Sequence, residues 1–140
     1  MTSPNLERLA HAGELKRERI TRGEFESLVR TARALLADAG REELSQESRF
    51  RLVYGASYAL ASAALRLHGY RSESRYLVFQ CLEHTTTLDR SQARLFSLCH
   101  DRRNKAEYTG DFEIEETLME GFLRAAQELL GVVSGMAPES

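Results

Sequence analysis

Five stretches of the chain repeat apolar residues at helical spacing, and this pattern predicts an all-α fold. The clearest stretch lies between Thr21 and Gly40, where apolar residues recur every three or four positions and charged residues fill the positions between them. Thr21 followed by Glu24 is a capping-box pair, which predicts that a helix begins there, and Gly40 predicts its end. This segment is therefore expected to be an amphipathic helix.

The longest stretch, between Ser45 and Gly69, is apolar or small on nearly every face. A helix of this kind is typical of the centre of a fold, with neighbours on several sides. Its alanines and Gly55 predict close approach by a neighbouring backbone, either within the chain or across a subunit interface. Because one small chain offers few neighbours to cover this helix, we expect the protein to form a homodimer.

Two further helices are predicted in the middle of the chain. Ser72 or Ser74 is expected to cap a short helix that ends near the β-branched run Thr85–Thr87. Asp89 is expected to cap a longer helix that ends just before Gly110. No stretch of the chain alternates apolar and polar residues convincingly, so no strand is predicted.

The last helix is expected to begin near Glu113 and to end at Gly135 and Pro138. Its apolar stripe consists of Ile114, Leu118, Phe122, Ala125, Leu129 and Val133. The pattern as a whole predicts an antiparallel helical bundle of about five helices over residues 21–135. Residues 1–20 are expected to form an N-terminal arm that packs only lightly, and residues 136–140 a flexible tail.

The charges of the chain nearly cancel, since 19 basic residues face 21 acidic ones, so no global field favours nucleic acid or membrane. Their distribution is uneven. The stretch from Arg90 to Lys105 is mostly basic, and the stretch from Glu107 to Glu120 carries only acidic charges. The two stretches either neutralise each other in the fold or contact different partners.

The two cysteines, Cys81 and Cys99, lie within apolar helical patterns, and the sequence shows neither a signal peptide nor a run of about 18 apolar residues. A cytoplasmic protein without contact to membranes is therefore expected. A metal site formed by these cysteines with His84 and His100 lacks the close paired spacing of structural sites, so we predict no metal and no other cofactor.

The polar segment from His100 to Tyr108 is the candidate site. His100, Arg103, Asn104 and Glu107 are spaced so that a helix places all four on one face. This face either binds a phosphate or is a solvated surface with a weak ion pair. The neighbouring Arg102 and Lys105 are candidate substrate-binding residues, and no phosphate-binding loop, dinucleotide turn, nucleophile elbow or metalloprotease motif occurs.

Arg103-Asn104 followed by Tyr108 resembles the motif of the HEPN superfamily, small α-helical proteins of toxin–antitoxin and defence systems. That motif has an arginine, a polar residue that is often asparagine, and a histidine about five positions after the arginine. The resemblance extends over residues 21–133, including 55–60 and 76–80, and this chain has Tyr108 at the position of the histidine.

The resemblance implies a metal-independent endoribonuclease whose composite site forms between two subunits and whose substrate RNA supplies its own 2′-OH. It also implies a cognate partner, such as a nucleotidyltransferase or another antitoxin-type protein. A tyrosine is a poorer proton shuttle than histidine at neutral pH because its pKa is near 10. His100 or Glu107 can replace the shuttle, or Tyr108 can donate to a phosphate oxygen. Alternatively, the protein is a catalytically inactive module that binds a partner protein.

Overall fold

The computed structural model describes residues 4–138 and is predominantly helical, in agreement with the predicted all-α class. Seven helices occur in this range: α1 (Pro4–His11), α2 (Arg22–Ala39), α3 (Gln46–Leu67), α4 (Arg75–Gln80), α5 (Leu82–Thr85), α6 (Arg90–Thr109) and α7 (Glu116–Ser134). Two short strands, β1 (Lys16–Arg17) and β2 (Tyr70–Arg71), pair antiparallel. No helix within residues 4–138 is long and apolar enough to cross a membrane.

The ends of the main helices follow the local signals in the sequence. The side chain of Thr21 accepts from the Glu24 N–H, and the Glu24 side chain accepts from the Thr21 N–H, which completes the capping box of α2. Ser45 caps α3, and Asp89 caps α6. Gly110 follows α6 with φ of 78°, a left-handed conformation that strongly favours glycine.

Helix α3 is the centre of the fold, as its apolar sequence predicts, and it packs against α2, α4, α5, α6 and α7. A Cβ atom at Gly55 would lie 3.3 Å from Leu35 Cδ1, so the glycine permits the close approach of α2. The buried side chains of α3 are covered within one chain, including Ala56 and Ala63, both of which are 0% exposed. One chain thus covers most of α3 and leaves Leu52, Tyr58 and Leu67 partly buried, and the homodimer stays a prediction.

The N-terminal arm packs more tightly than its sequence indicates. Leu6 is 0% exposed and Leu15 is 3% exposed, so both belong to the core. Tyr70 donates a hydrogen bond to Glu7, and β1 holds the arm against the segment that follows α3. The prediction of light packing is wrong because these contacts join residues far apart in the sequence, and a two-residue strand is too short to show an alternating pattern.

Helix α7 is shifted relative to its prediction. It begins at Glu116 rather than near Glu113, and its buried face includes Met119, which is 0% exposed, whereas Leu118 is only partly buried. The segment before it is held by Phe112, whose ring centroid lies 5.2 Å from that of Phe50. Phe122, Leu129 and Val133 are buried as predicted. The break at Cys81 between α4 and α5, together with α1, raises the number of helices from about five to seven.

The burial of Leu6 predicts a large effect of its truncation. Leu6→Ala should lower the free energy of unfolding by about 2–5 kcal/mol, because it removes packed methyl groups from a closed site. Leu98→Ala is the matched control, since Leu98 is 44% exposed and its truncation should change stability by less than about 0.5 kcal/mol. Urea titrations of both variants measure this difference. Equal stability of the two variants would contradict the placement of the arm in the core.

Candidate functional site

The candidate site is built around His100, a residue of α6 whose side chain packs against α3 and is only 4% exposed. Its Nδ1 lies 2.9 Å from the hydroxyl of Tyr54, and its Nε2 lies 3.1 Å from Nδ2 of Asn104. The rings of Tyr54 and His100 stack with centroids 6.0 Å apart and an interplanar angle of 15°. Both nitrogens of the imidazole therefore have hydrogen-bond partners inside the protein.

The neighbouring Arg103 determines how these hydrogen bonds are directed. Its Nη1 donates to Oδ1 of Asn104 at 3.4 Å, which leaves the amide nitrogen of Asn104 to donate to Nε2 of His100. A neutral imidazole that accepts at Nε2 carries its proton on Nδ1 and donates it to the Tyr54 hydroxyl. Arg103, Asn104, His100 and Tyr54 thus form one continuous chain of hydrogen bonds.

The surroundings of His100 favour its neutral form. Burial lowers the pKa of His100 below its usual 6.5, and the nearby charges of Arg103 and Arg75 lower it further, while Asp101 opposes them. Protonation would also place an N–H on Nε2 opposite the Asn104 amide N–H, so two donors would face each other. His100 is therefore a neutral, internally bonded side chain at neutral pH.

Two guanidinium groups lie against the ring of Tyr54. The Cζ of Arg103 is 5.2 Å from the ring centroid, and the Cζ of Arg75, at the start of α4, is 5.8 Å from it. Arg75 also lies 4.3 Å from the centroid of Tyr58. Within residues 4–138, neither arginine has a carboxylate at ion-pair distance. Several other exposed arginines also lack a partner, but these two lie against tyrosine rings and share the ring of Tyr54.

The face of α6 predicted to carry the site is turned towards α3. Glu107 contributes to this packing, because its carboxylate accepts from Arg51 of α3 at 3.2 Å instead of pairing with Arg103. Tyr108 is 92% exposed and is held in no pocket of a single chain. The structure therefore brings His100, Arg103 and Asn104 together and leaves Glu107 and Tyr108 outside the cluster.

Arg102 and Lys105, the candidate substrate-binding residues, lie in an acidic environment. Arg102 binds both carboxylate oxygens of Glu115, at 2.8 and 3.2 Å, and thereby holds the pKa of Glu115 below its usual value. Lys105 lines a cavity of about 320 Å³ together with Asp111 and Glu113. Successive residues of a helix point in different directions, which separates these two side chains from Arg103.

Arg102–Glu115 is also the one ion pair that joins the basic stretch 90–105 to the acidic stretch 107–120 within residues 4–138. Two other acidic residues of the second stretch pair with arginines of α3, Glu107 with Arg51 and Glu120 with Arg49. The acidic stretch is thus partly neutralised within the fold, more by arginines of α3 than by the basic stretch 90–105.

The chemical groups of the cluster are two guanidinium groups, a carboxamide and a neutral imidazole, and guanidinium groups are suited to binding anions. No group of three or more histidine, cysteine or acidic side chains in the described part of the chain is arranged to hold a metal ion. The cysteines do not supply a nucleophile, because burial raises the pKa of Cys81 to about 11 and that of Cys99 to about 12. His100 is enclosed, so a substrate bound to a single chain does not reach its nitrogens.

Sequence reasoning missed the part that α3 and α4 play in the site. Tyr54 is only 5% exposed and belongs to the core, yet its hydroxyl also orients His100. Arg75 was not a candidate at all. The only local signal for it is its position directly before Tyr76, whose ring lies 6.4 Å from that of His100.

Neither a protein-family model, nor a curated protein, nor a solved structure matches this chain.

The lowered pKa of His100 predicts a pH dependence of stability. Below its usual pKa of 6.5, the unfolded histidine takes up a proton that the folded one resists, so the unfolded state binds more protons. The free energy of unfolding should therefore fall as the pH falls from about 7.5 to about 5.5, with a contribution from His100 of at most about 1.4 kcal/mol per pH unit.

The variant His100→Gln keeps a polar side chain but cannot titrate, and its stability should fall less steeply over this range. Urea unfolding at several pH values measures both slopes. The other histidines are the same in the two proteins, so their contributions cancel in the difference. Parallel pH profiles would show that His100 is not held in the neutral form.

Proposed function

We propose that this chain is a HEPN-like protein of a toxin–antitoxin or defence module and that it binds RNA through the face formed by Arg103 and Arg75. The observation that supports this proposal is the convergence of two guanidinium groups on the Tyr54 ring without a carboxylate partner among the described residues. The resemblance of Arg103-Asn104 and Tyr108 to the HEPN motif supports RNA as the substrate class.

The physical basis is the fit between guanidinium groups and phosphate. An arginine stays charged at any working pH and can bind two phosphate oxygens at once. The tyrosine ring partly compensates each positive charge through a cation–π contact, but it does not screen the two positive charges from each other. An anion placed between Arg75 and Arg103 would relieve their repulsion, and the phosphodiester of RNA supplies one at every nucleotide.

The proposal includes cleavage without a metal ion at a composite site shared by two subunits. In this reaction the 2′-hydroxyl gives up its proton as its oxygen attacks the adjacent phosphorus, the bond to the 5′-oxygen breaks, and that oxygen takes up a proton, which leaves a 2′,3′-cyclic phosphate and a 5′-hydroxyl. Within residues 4–138 of a single chain, none of the three candidate shuttles is placed beside Arg103, since His100 is enclosed, Glu107 accepts from Arg51 and Tyr108 projects into solvent. A second copy packed on this face would enclose Tyr108 and bring two Arg103 side chains to one cleft.

The surface that would form this dimer is the one that carries the site. Two exposed aromatic side chains in the described range lie on this side of the protein, Tyr76 of α4 and Tyr108 of α6, which are 49% and 92% exposed. Tyr76 borders His100 directly. The same surface is the proposed contact for a cognate nucleotidyltransferase or another antitoxin-type protein, which would block the RNA site by binding there.

The second candidate function is a catalytically inactive HEPN-like module that binds a partner protein. The observation that favours it is the combination of Tyr108 at the position of the motif histidine with an imidazole at His100 that is sealed by Tyr54 and Asn104. A protein without a proton shuttle retains its shape and its arginines, and it can still regulate or be regulated by a partner.

The variants of Arg103 and Tyr108 separate the two functions. Arg103→Ala should weaken binding of single-stranded RNA at least about tenfold, because it removes a charge-assisted contact, and should abolish any cleavage. Arg103→Lys should restore binding only in part, since lysine lacks the bidentate fork. Tyr108→His should increase cleavage in the presence of EDTA by restoring an imidazole. Arg124→Ala, an exposed arginine of α7, is the control with the same change of charge.

Binding of RNA is measured by fluorescence anisotropy, cleavage by gel analysis of labelled RNA, and the mass of the protein in solution by light scattering. A mass of twice 15.9 kDa is expected for the dimer. Binding that depends on Arg103, with no cleavage by either the natural protein or Tyr108→His, would favour the inactive module. No binding of RNA by the natural protein would overturn the RNA proposal.

A further inference from the structure

Protonation of His100 would change the hydrogen bond at only one of its two ring nitrogens. In the neutral ring, Nδ1 carries the proton and donates to the Tyr54 hydroxyl, and Nε2 accepts from the side-chain amide of Asn104. A second proton would leave the contact with Tyr54 unchanged and would turn Nε2 into a donor that needs an acceptor. The amide oxygen of the same Asn104 supplies this acceptor if the amide rotates by half a turn about its Cβ–Cγ bond.

Reversal of the Asn104 amide has a cost on its other side. In the present orientation, Oδ1 of Asn104 accepts from Nη1 of Arg103 at 3.4 Å. After reversal, the amide nitrogen would face Arg103 instead, so two donors would meet. Asn104 is exposed and Arg103 is half-buried, so a solute can reach both groups. An anion bound there would accept from both donors and so remove the cost of the reversal.

The charges around His100 act in the same direction. Burial lowers the pKa of His100 first, then the charges of Arg103 and Arg75, and an anion bound at these arginines would cancel part of their effect. The titratable and charged groups that face His100 lie on three helices: Asp101 and Arg103 on α6, Arg75 and Tyr76 on α4, and Tyr54 on α3. Among these residue types, histidine is the one that changes its charge between about pH 5 and 8.

We propose that the binding of an RNA phosphate at Arg103 is coupled to the protonation of His100 through the reversal of the Asn104 amide. This inference rests on the proposed binding of RNA and adds its regulation by pH. The free protein favours the neutral ring with Oδ1 of Asn104 on Arg103. The complex favours the protonated ring with the amide nitrogen of Asn104 on the phosphate.

The sign of the pH effect follows from linkage. If the phosphate raises the pKa of His100, protonation of His100 strengthens the binding of the phosphate by the same factor. At a pH above both pKa values, neither the free nor the bound protein is protonated, and the affinity does not depend on pH. As the pH falls, the complex takes up its proton first, so the affinity rises by at most about tenfold per pH unit until the free protein is protonated as well.

The experiment measures the binding of a short 2′-O-methyl oligouridylate to the full-length protein at about pH 7.5 and about pH 5.5. The bases and phosphodiesters of this probe keep their charge over this range, and the probe cannot be cleaved because its 2′-oxygens carry no proton. Fluorescence anisotropy gives the affinity, which should be at least about threefold higher at the lower pH. A pH titration of the His100 ring by ¹H–¹⁵N correlation spectra should give a higher pKa in the complex than in the free protein.

Three variants test the route of the coupling. His100→Gln cannot titrate, so the rise in affinity at the lower pH should disappear. Asn104→Leu keeps every charge of the cluster but has no amide to reverse, so the rise should be smaller than in the natural protein. His11→Gln is the matched control, because His11 is an exposed residue of α1, and it should keep the rise of the natural protein. Thermal melting followed by circular dichroism at both pH values shows whether each variant is folded.

A rise in affinity that His100→Gln abolishes and Asn104→Leu reduces, together with a raised pKa of His100 in the complex, supports the proposal. Equal affinity at both pH values, a rise that either variant leaves unchanged, or an unchanged pKa of His100 would overturn it and leave the RNA proposal standing. No binding of the probe at either pH would also overturn it. Natural oligouridylate, tested in the same assay, then decides the RNA proposal separately, because its failure to bind would overturn both.

Discussion

The hydrogen bonds of His100 are the constraint on which the rest of the site depends. The imidazole is fixed from both sides, by the Tyr54 hydroxyl of α3 and by the Asn104 amide of its own helix. A buried polar ring is tolerated in a core only when its nitrogens are bonded, and here the bonds also fix the rotation of α6 against α3. This rotation places Arg103 over the Tyr54 ring and directs Glu107 to Arg51. The packing of α6 against α3 therefore determines the geometry of the site.

The distribution of acidic partners then selects which arginines are available to a ligand. Glu115 binds Arg102, and Glu18 and Glu24 bind Arg66, so these cations are already neutralised. Arg103 and Arg75 are left with aromatic contacts only, among the residues that the structure describes. A tyrosine ring orders a guanidinium but does not cancel its charge, because the cation–π attraction is much weaker than a full ion pair at close range. The fold thus holds two positive groups within 6 Å of the centroid of one tyrosine ring without a strongly basic composition.

The parts of this structure that sequence could predict are those that depend on neighbouring residues. The capping box of Thr21 and Glu24, the cap at Asp89 and the left-handed Gly110 each act over a few positions, and the structure has all of them. The pairing of β1 with β2 and the burial of Leu6 depend on contacts between distant segments, which leave no local pattern.

The same limit applies to the candidate site. Helical spacing correctly placed His100, Arg103 and Asn104 on one face, but it could not show that this face meets Tyr54 or that Arg75 approaches from α4. It also could not show that Arg102 would form an ion pair with Glu115.

The tautomer of His100 tests the central claim most directly, because the whole arrangement of donors and acceptors depends on it. Two-bond ¹H–¹⁵N correlation spectra of the labelled protein at about pH 7 distinguish a protonated ring nitrogen from a bare one. The structure predicts a neutral imidazole with its proton on Nδ1 and a bare Nε2 that accepts from Asn104. A proton on Nε2, or a doubly protonated ring at this pH, would contradict the hydrogen-bond chain from Arg103 to Tyr54.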